Sequence, residues 1–212
     1  MSELDYGFQR VHEKCKDLIM LTGCSGGGKS TLLSELDRRG YHVFEEPGRQ
    51  IVKEQDLIDG PALPWPNPEG FAELCLSRSM HNLALALKLG GQVFFDRGIV
   101  DALASFEHLG LPVPEHFSRA AERLRYCKTV FVLPPWPEIF TGDAERRHSA
   151  DEAVDTYHDL VSTYERLGYE LVAVPKVDAA ARADFVLDHL AKESTARVGV
   201  AVQRNIDYKI PD

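Results

Sequence analysis

Long apolar runs are missing from this chain. No stretch of about 18 consecutive apolar residues occurs, so no membrane-spanning helix is expected. An excess of basic charge is missing too. Lys and Arg number 24 against 33 Asp and Glu, a formal net charge of -9, which argues against a nucleic-acid backbone as the main partner. A small local cluster of Arg and Lys remains compatible with that balance. Metal-type spacing is also absent. The cysteines Cys15, Cys24, Cys75 and Cys127 are scattered with no CxxC, and the histidines form no HxH or HExxH, so neither a zinc module nor a disulfide framework is expected. The cysteines read as reduced thiols, buried or half-buried. Cys24 differs by lying in a glycine loop, where it is expected to be open to oxidation or alkylation. The first residues, MSELDYGFQRVHEKCKD, are polar and lack the apolar core of a secretory signal, so a cytoplasmic location is expected.

What remains is enough for one globular domain. The apolar share is 44%, and 212 residues can bury a real core. Five short runs, Leu18–Thr22, Tyr41–Glu45, Gln92–Asp96, Thr129–Leu133 and Glu170–Val174, are largely apolar rather than alternating. That pattern predicts strands buried on both faces of a parallel sheet. Helical patterns fall between them. Ser30–Arg39 stops at Gly40. Glu69–Leu89 carries Leu76, Met80, Leu83 and Leu87 on one stripe. Glu115–Tyr126 is amphipathic, Ser149–Leu167 opens with the capping-box sequence SADE, and Ala179–Leu190 closes the series. Strands alternating with helices predict a layered α/β fold. The proline-rich stretch Asp59–Pro68 reads as a loop. Residues 1–193 read as a single domain and 194–212 as a tail, either an edge strand through Val198, Val200 and Val202 or a loosely packed end.

The chemistry is concentrated after the first strand. Gly23-Cys24-Ser25-Gly26-Gly27-Gly28-Lys29-Ser30, with Thr31 next to it, fits G-x-x-x-x-G-K-[ST] between an apolar strand and a helix. The glycines let backbone N–H groups wrap phosphate oxygens, and the helix start adds its positive dipole end. Lys29 can reach the β- and γ-phosphates, and the Ser30 hydroxyl can ligate Mg²⁺. A Mg²⁺-bound nucleoside triphosphate is the expected ligand.

Ligands of open parallel sheets bind beyond the carboxyl ends of the strands. Glu45, Glu46 and Arg49 follow the second strand, and Asp96 and Arg97 close the third, so all five are expected near the phosphate loop. Asp96 is the candidate partner of the metal, directly or through water. Arg97 offers planar paired donors to phosphate. Glu46 can take a proton from an acceptor hydroxyl, and Arg49 can hold the acceptor. A solvated pair at a strand end is the plainer reading of Glu45 and Glu46. Arg78 and Asn82, four apart on the long middle helix, either face the acceptor or lie on a solvated face. Trp65 is either a stacking platform or a half-buried loop aromatic.

With these residues in view, the chain resembles the AAA-type predicted ATPase/kinase family of P-loop NTPases, related to the ribosylnicotinamide kinase domain and to nucleoside and nucleotide kinases. The resemblance rests on the P-loop, Glu46-x-x-Arg49, Asp96-Arg97-Gly98, the run VFVLPPWPEI and Asp143–Arg147, and covers roughly residues 17 to 191. It implies a three-layer α/β/α fold with a five-stranded parallel sheet of order 2-3-1-4-5. It also implies phosphoryl transfer from ATP to a hydroxyl or phosphate of a nucleoside-like or other small acceptor, with Glu46 and Arg97 serving that acceptor. Thr141–His148 (TGDAERRH) is similar to the arginine-bearing lid of such kinases, with Arg146 and Arg147 as the candidates. Pro175-Lys176-Val177-Asp178 resembles a guanine-reading motif with Pro in place of Asn, and no D-x-x-G follows the third strand, so ATP is expected over GTP. The rival is a nucleotide-dependent regulatory switch that hydrolyses slowly and signals to a protein or lipid partner. Monomer and homodimer are both compatible with the sequence.

Overall fold

In a computed structural model, the chain is described over residues 7–139 and 150–207. A one-turn helix α1 (Val11–Lys14) leads into β1 (Leu18–Gly23), followed by α2 (Lys29–Arg38), β2 (His42–Phe44), α3 (Pro47–Leu57) and α4 (Pro68–Ala86). Then come β3 (Val93–Asp96), α5 (Ile99–His108), α6 (Glu115–Arg123), β4 (Thr129–Leu133), α7 (Ala150–Arg166), β5 (Glu170–Ala173) and α8 (Ala179–Asp207). The five strands form one sheet of order β2-β3-β1-β4-β5, and every neighbouring pair is parallel.

The sheet separates two apolar layers, and alternate residues of each strand feed opposite ones. Leu18, Met20, Val93, Phe95, Val130 and Val132 enter the layer shared with α4, α5, α6 and α7. Ile19, Leu21, Phe94, Phe131 and Leu133 enter the layer closed by α2 and α8. β1, β3 and β4 are therefore buried along their whole length, which is why their sequences show no polar alternation. In register, Leu21 stands beside Asp96 and Gly23 beside Leu133, so the ends of the three central strands meet at one edge of the sheet.

Two helices were not legible in the sequence. α3 starts inside the Glu-Pro segment, with Pro47 in its first turn, where the missing proline N–H costs nothing. α5 is buried over most of its length, including Ile99, Val100, Leu103 and Phe106, and was not picked out from the sequence. The amphipathic segment 115–126 is helical only to Arg123, because Tyr126 turns into the core. At the C-terminus α8 runs unbroken for 29 residues to Asp207, so residues 194–207 are helical rather than an edge strand. Ala, Lys, Glu and Arg at 191–197 favour continuing the helix, whereas alternating valines need a sheet edge to pair with. The loop between α3 and α4 is as expected. Its exit is fixed by Asn67, whose side chain accepts from the N–H of Gly70 at 2.9 Å.

Candidate active site

Gly23–Ser30 joins β1 to α2 as the sequence requires. Gly23 has φ 126°, and a Cβ there would lie 2.2 Å from the carbonyl oxygen of Leu133. Only glycine fits, because the loop leaves the sheet directly against the end of β4. Lys29 opens α2, is buried, and donates from Nζ to the carbonyl oxygens of Gly23 at 3.2 Å and Cys24 at 2.8 Å. Burial lowers its pKa, and the nearby Arg97 guanidinium adds to that. Cys24 is 1% exposed and burial pushes its thiol up, so the expectation of an open, reactive cysteine in the loop is overturned.

Asp96 ends β3 beneath this loop. The Ser30 hydroxyl donates to its Oδ2 at a long 3.5 Å, and its buried Oδ1 has no hydrogen-bond partner among the described residues. Burial raises the Asp96 carboxyl to about 6, against the pull of Lys29 and with the push of Glu46. A buried carboxylate oxygen without a partner next to a serine hydroxyl is a hard-oxygen donor set. It fits Mg²⁺, which takes one or two protein oxygens and completes its shell with water and phosphate.

Arg97 adopts a left-handed backbone, φ 65°, which is strained for a bulky side chain. Its Nε lies 3.4 Å from Glu46 Oε1, and its Nη2 donates to the Gly23 carbonyl at 3.3 Å. Burial opposes its charge, but Glu46, Asp101 and Asp96 outweigh that and hold the guanidinium above its ordinary range. Glu46 stands at the N-terminal boundary of α3, where its side chain makes no capping bond, and lines two cavities. One, of about 250 Å³, is shared with Ser30, Asp96, Glu45, Arg49 and Lys53. The other, of about 80 Å³, lies between α3, α4 and α5. The structure thus brings Lys29, Ser30, Glu45, Glu46, Arg49, Asp96 and Arg97 to one edge of the sheet.

Arg78 lies differently. Its guanidinium makes a two-pronged pair with Glu54, at 2.8 and 3.1 Å, and donates to Gln50 at 3.0 Å, tying α4 to α3. Asn82 is buried rather than on a solvated face. Trp65 is 45% exposed on its loop. Asp178 accepts from the N–H of Ala181 at 2.9 Å, so it caps α8. Arg146 and Arg147, with the rest of Thr141–His148, lie outside the described residues.

Sequence reasoning missed Asp101 and Arg182. Asp101 is 8% exposed. Its Oδ1 accepts from the Thr22 hydroxyl at 2.5 Å, and its Oδ2 from the Tyr164 hydroxyl at 2.7 Å and the N–H of Gly98 at 2.9 Å. It joins the end of β1, the turn that carries Arg97, and α7. It is a positioning residue that braces both sides of the site. The signal was available, since an Asp three residues after a helix start can reach back to the turn's N–H. Arg182, in the first turn of α8, is 4% exposed and donates to the carbonyl of Gly28 at 3.0 Å, with its guanidinium 5.5 Å from the centre of the Trp136 ring. Buried side-chain atoms without a hydrogen-bond partner among the described residues are Asp96 Oδ1, Arg97 Nε and Arg182 Nε, all three around the phosphate loop. Buried polar atoms are normally satisfied, so their clustering points to a polar ligand at this edge.

Among the described residues no helix is long and apolar enough to cross a membrane. No curated protein matches the chain. Among solved structures, a deoxyadenosine kinase from M. mycoides with the products dCMP and a flexible dCDP bound is similar at 15% identity and TM-score 0.56, covering 82% of this chain and 98% of that one. The same kinase with bound dATP is similar at 14% identity and TM-score 0.54, covering 82% of this chain and 99% of that one. At these identities the likeness is one of fold. A family model described as AAA domain matches residues 18–182, from the first residue of β1 to the first turn of α8. The chain belongs to this AAA domain family, as a P-loop NTPase with a kinase-like sheet.

Proposed function

We propose that this chain is a phosphotransferase that moves the γ-phosphoryl group of ATP to a hydroxyl on a small molecule. The observation that carries the reading is the position of Glu46. One carboxylate lines both the cavity holding Ser30 and Asp96 and the cavity between α3, α4 and α5. A base is useful to a kinase at that boundary, where the donor phosphate and the acceptor must meet. Fold neighbours that are deoxyadenosine kinases, one of them with dATP bound, support the same reading.

The residues divide the work. Backbone N–H groups of Gly23–Ser30 and the start of α2 hold the triphosphate. Lys29 leaves the loop carbonyls to meet the β- and γ-phosphates. Ser30 and Asp96 would hold Mg²⁺, which would supply charge neutralisation to the phosphates when bound. Glu46 accepts the proton of the acceptor hydroxyl as its oxygen bonds to Pγ and the bond from Pγ to the bridging oxygen breaks, releasing ADP. Arg97, on the same side, balances the charge that spreads over the transferring group. An arginine of the lid segment, Arg146 or Arg147, completes that balance. Arg49 lines the donor-side cavity and steadies the incoming acceptor.

The test is ATP consumption with Mg²⁺ over a panel of nucleosides, nucleotides and sugars, with products followed by mass and Lys29→Ala as the blank. Glu46→Gln is expected to lose at least about 100-fold in transfer while ATP binding survives. ATP binding with slow hydrolysis and no phosphorylated product would replace the kinase with the regulatory switch.

A further inference from the structure

The cavity between α3, α4 and α5 carries information about the acceptor, and the argument rests on the kinase reading above. Its volume is about 80 Å³, room for a compact group of a few heavy atoms, since a water takes about 30 Å³ of liquid. One wall is apolar and close. Phe71 and Cys75 stand there beside the backbone of Gly48, where a Cβ would come within 3.1 Å of the Phe71 ring and 3.9 Å of the Cys75 sulfur. Burial pushes the Cys75 thiol up to about 12, and Glu46 adds to that, so the wall presents a neutral S–H at ordinary pH. The other wall is charged. Among the described residues, Glu46 and Asp101 line it with one cation, Arg97, whose guanidinium lies 3.4 Å from Glu46 and donates to the Gly23 carbonyl. The next cation on α4, Arg78, is held by both oxygens of Glu54. Arg49 and Lys53 line the neighbouring cavity, beside Ser30 and Asp96.

From this balance we infer that the group received between α3, α4 and α5 is a compact uncharged alcohol group of a few heavy atoms, and that phosphate esters are excluded from it by charge. A phosphate would fit by size. It would bring about two negative charges to a lining whose described residues carry two carboxylates and one guanidinium, and like charges brought together disfavour that ligand. A hydroxyl instead donates to Glu46 and lays its carbon skeleton against Phe71 and the thiol.

The experiment uses matched pairs: each common ribonucleoside and deoxyribonucleoside beside its 5′-monophosphate, and ribose beside ribose 5-phosphate. All are offered with ATP and Mg²⁺ to the full chain, and kcat/KM is read from product mass. The expected result is transfer to neutral members at least about 100-fold better than to their phosphate partners. Ser105 also lines the cavity, and Ser105→Lys is expected to narrow that ratio about tenfold by adding a cation. Asp101→Asn should narrow it in the same direction where the variant folds, and the wild-type ratio needs no variant at all. Equal or better transfer to the phosphate members would overturn the inference and leave the kinase standing. Transfer to neither member of any pair, with ATP binding intact, would overturn the kinase reading and this inference with it.

Discussion

Asp101→Ala tests whether the site is braced from below. The carboxylate accepts three buried hydrogen bonds, from Thr22, Tyr164 and Gly98. Hydrogen bonds to a charged acceptor are each worth about 1.5–3 kcal/mol net, and a buried donor left without a partner costs about 1–3 kcal/mol. The three terms do not add in full, because Asp101 lines a cavity from which water can reach some of the stranded donors. A loss of about 3–5 kcal/mol is expected, in line with breaking other buried charged networks. Tyr164→Phe removes one donor and leaves the carboxylate with two, so its loss should be about 1–2 kcal/mol. Function should follow the same order. Gly98 follows Arg97, whose left-handed backbone the turn must hold, and Thr22 precedes Gly23, on which Arg97 rests. Asp101→Asn keeps the volume but turns an amide donor toward other donors, so it should lower kcat more than it raises the KM for ATP. The assay is urea denaturation of the three variants beside steady-state kinetics. An Asp101→Ala variant that loses less than about 1 kcal/mol and turns over normally would refute the bracing argument.

Other perturbations give separate readings. Gly23→Ala should abolish nucleotide binding and lower stability by at least about 2 kcal/mol, since its Cβ would strike the Leu133 carbonyl at 2.2 Å on a backbone alanine avoids; titration with a fluorescent ATP analogue and thermal melting check this. In the native protein Cys24 and Cys75 should resist iodoacetamide at neutral pH and react only on unfolding, because burial raises both thiols; mass mapping before and after urea shows it. Asp96→Asn should stabilise the protein in metal-free buffer by about 2–3 kcal/mol at pH 8 while removing transfer. The sign follows from a folded carboxyl raised to about 6 from 3.8: its burial costs nothing below about pH 4, where both states are protonated, and the full cost is present above about pH 6, so the gain should vanish at pH 4 in denaturation curves.

The extent to which this site was legible follows from how each residue is specified. The three central strands were readable because burial on both faces demands nearly continuous apolar runs, and each of the five predicted runs matches an observed strand to within a residue at its ends. The phosphate loop was readable because its chemistry needs a fixed local spacing that no other residue types satisfy. Glu46 and Arg97 were readable as strand-end residues, which the parallel topology places beside the loop whatever the intervening helices do. Arg182 obeys no such local rule, and for Asp101 the local rule covers only its bond back to Gly98. Asp101 meets Thr22 across 79 residues of sequence and Arg182 meets Gly28 across 154, and each depends on how a helix packs against the sheet. The same limit explains Arg78. Its position on α4 was clear, but only the packing of α3 against α4 puts Glu54 within its reach. The cavity beside Glu46 belongs to this second kind, because Gly48, Phe71, Cys75 and Asp101 come from three helices, two of them illegible in the sequence. Donor chemistry in this fold is thus written locally, in a loop and the strand ends around it. On the kinase reading proposed above, acceptor chemistry would be written in helix packing, in the small cavity that those three helices line.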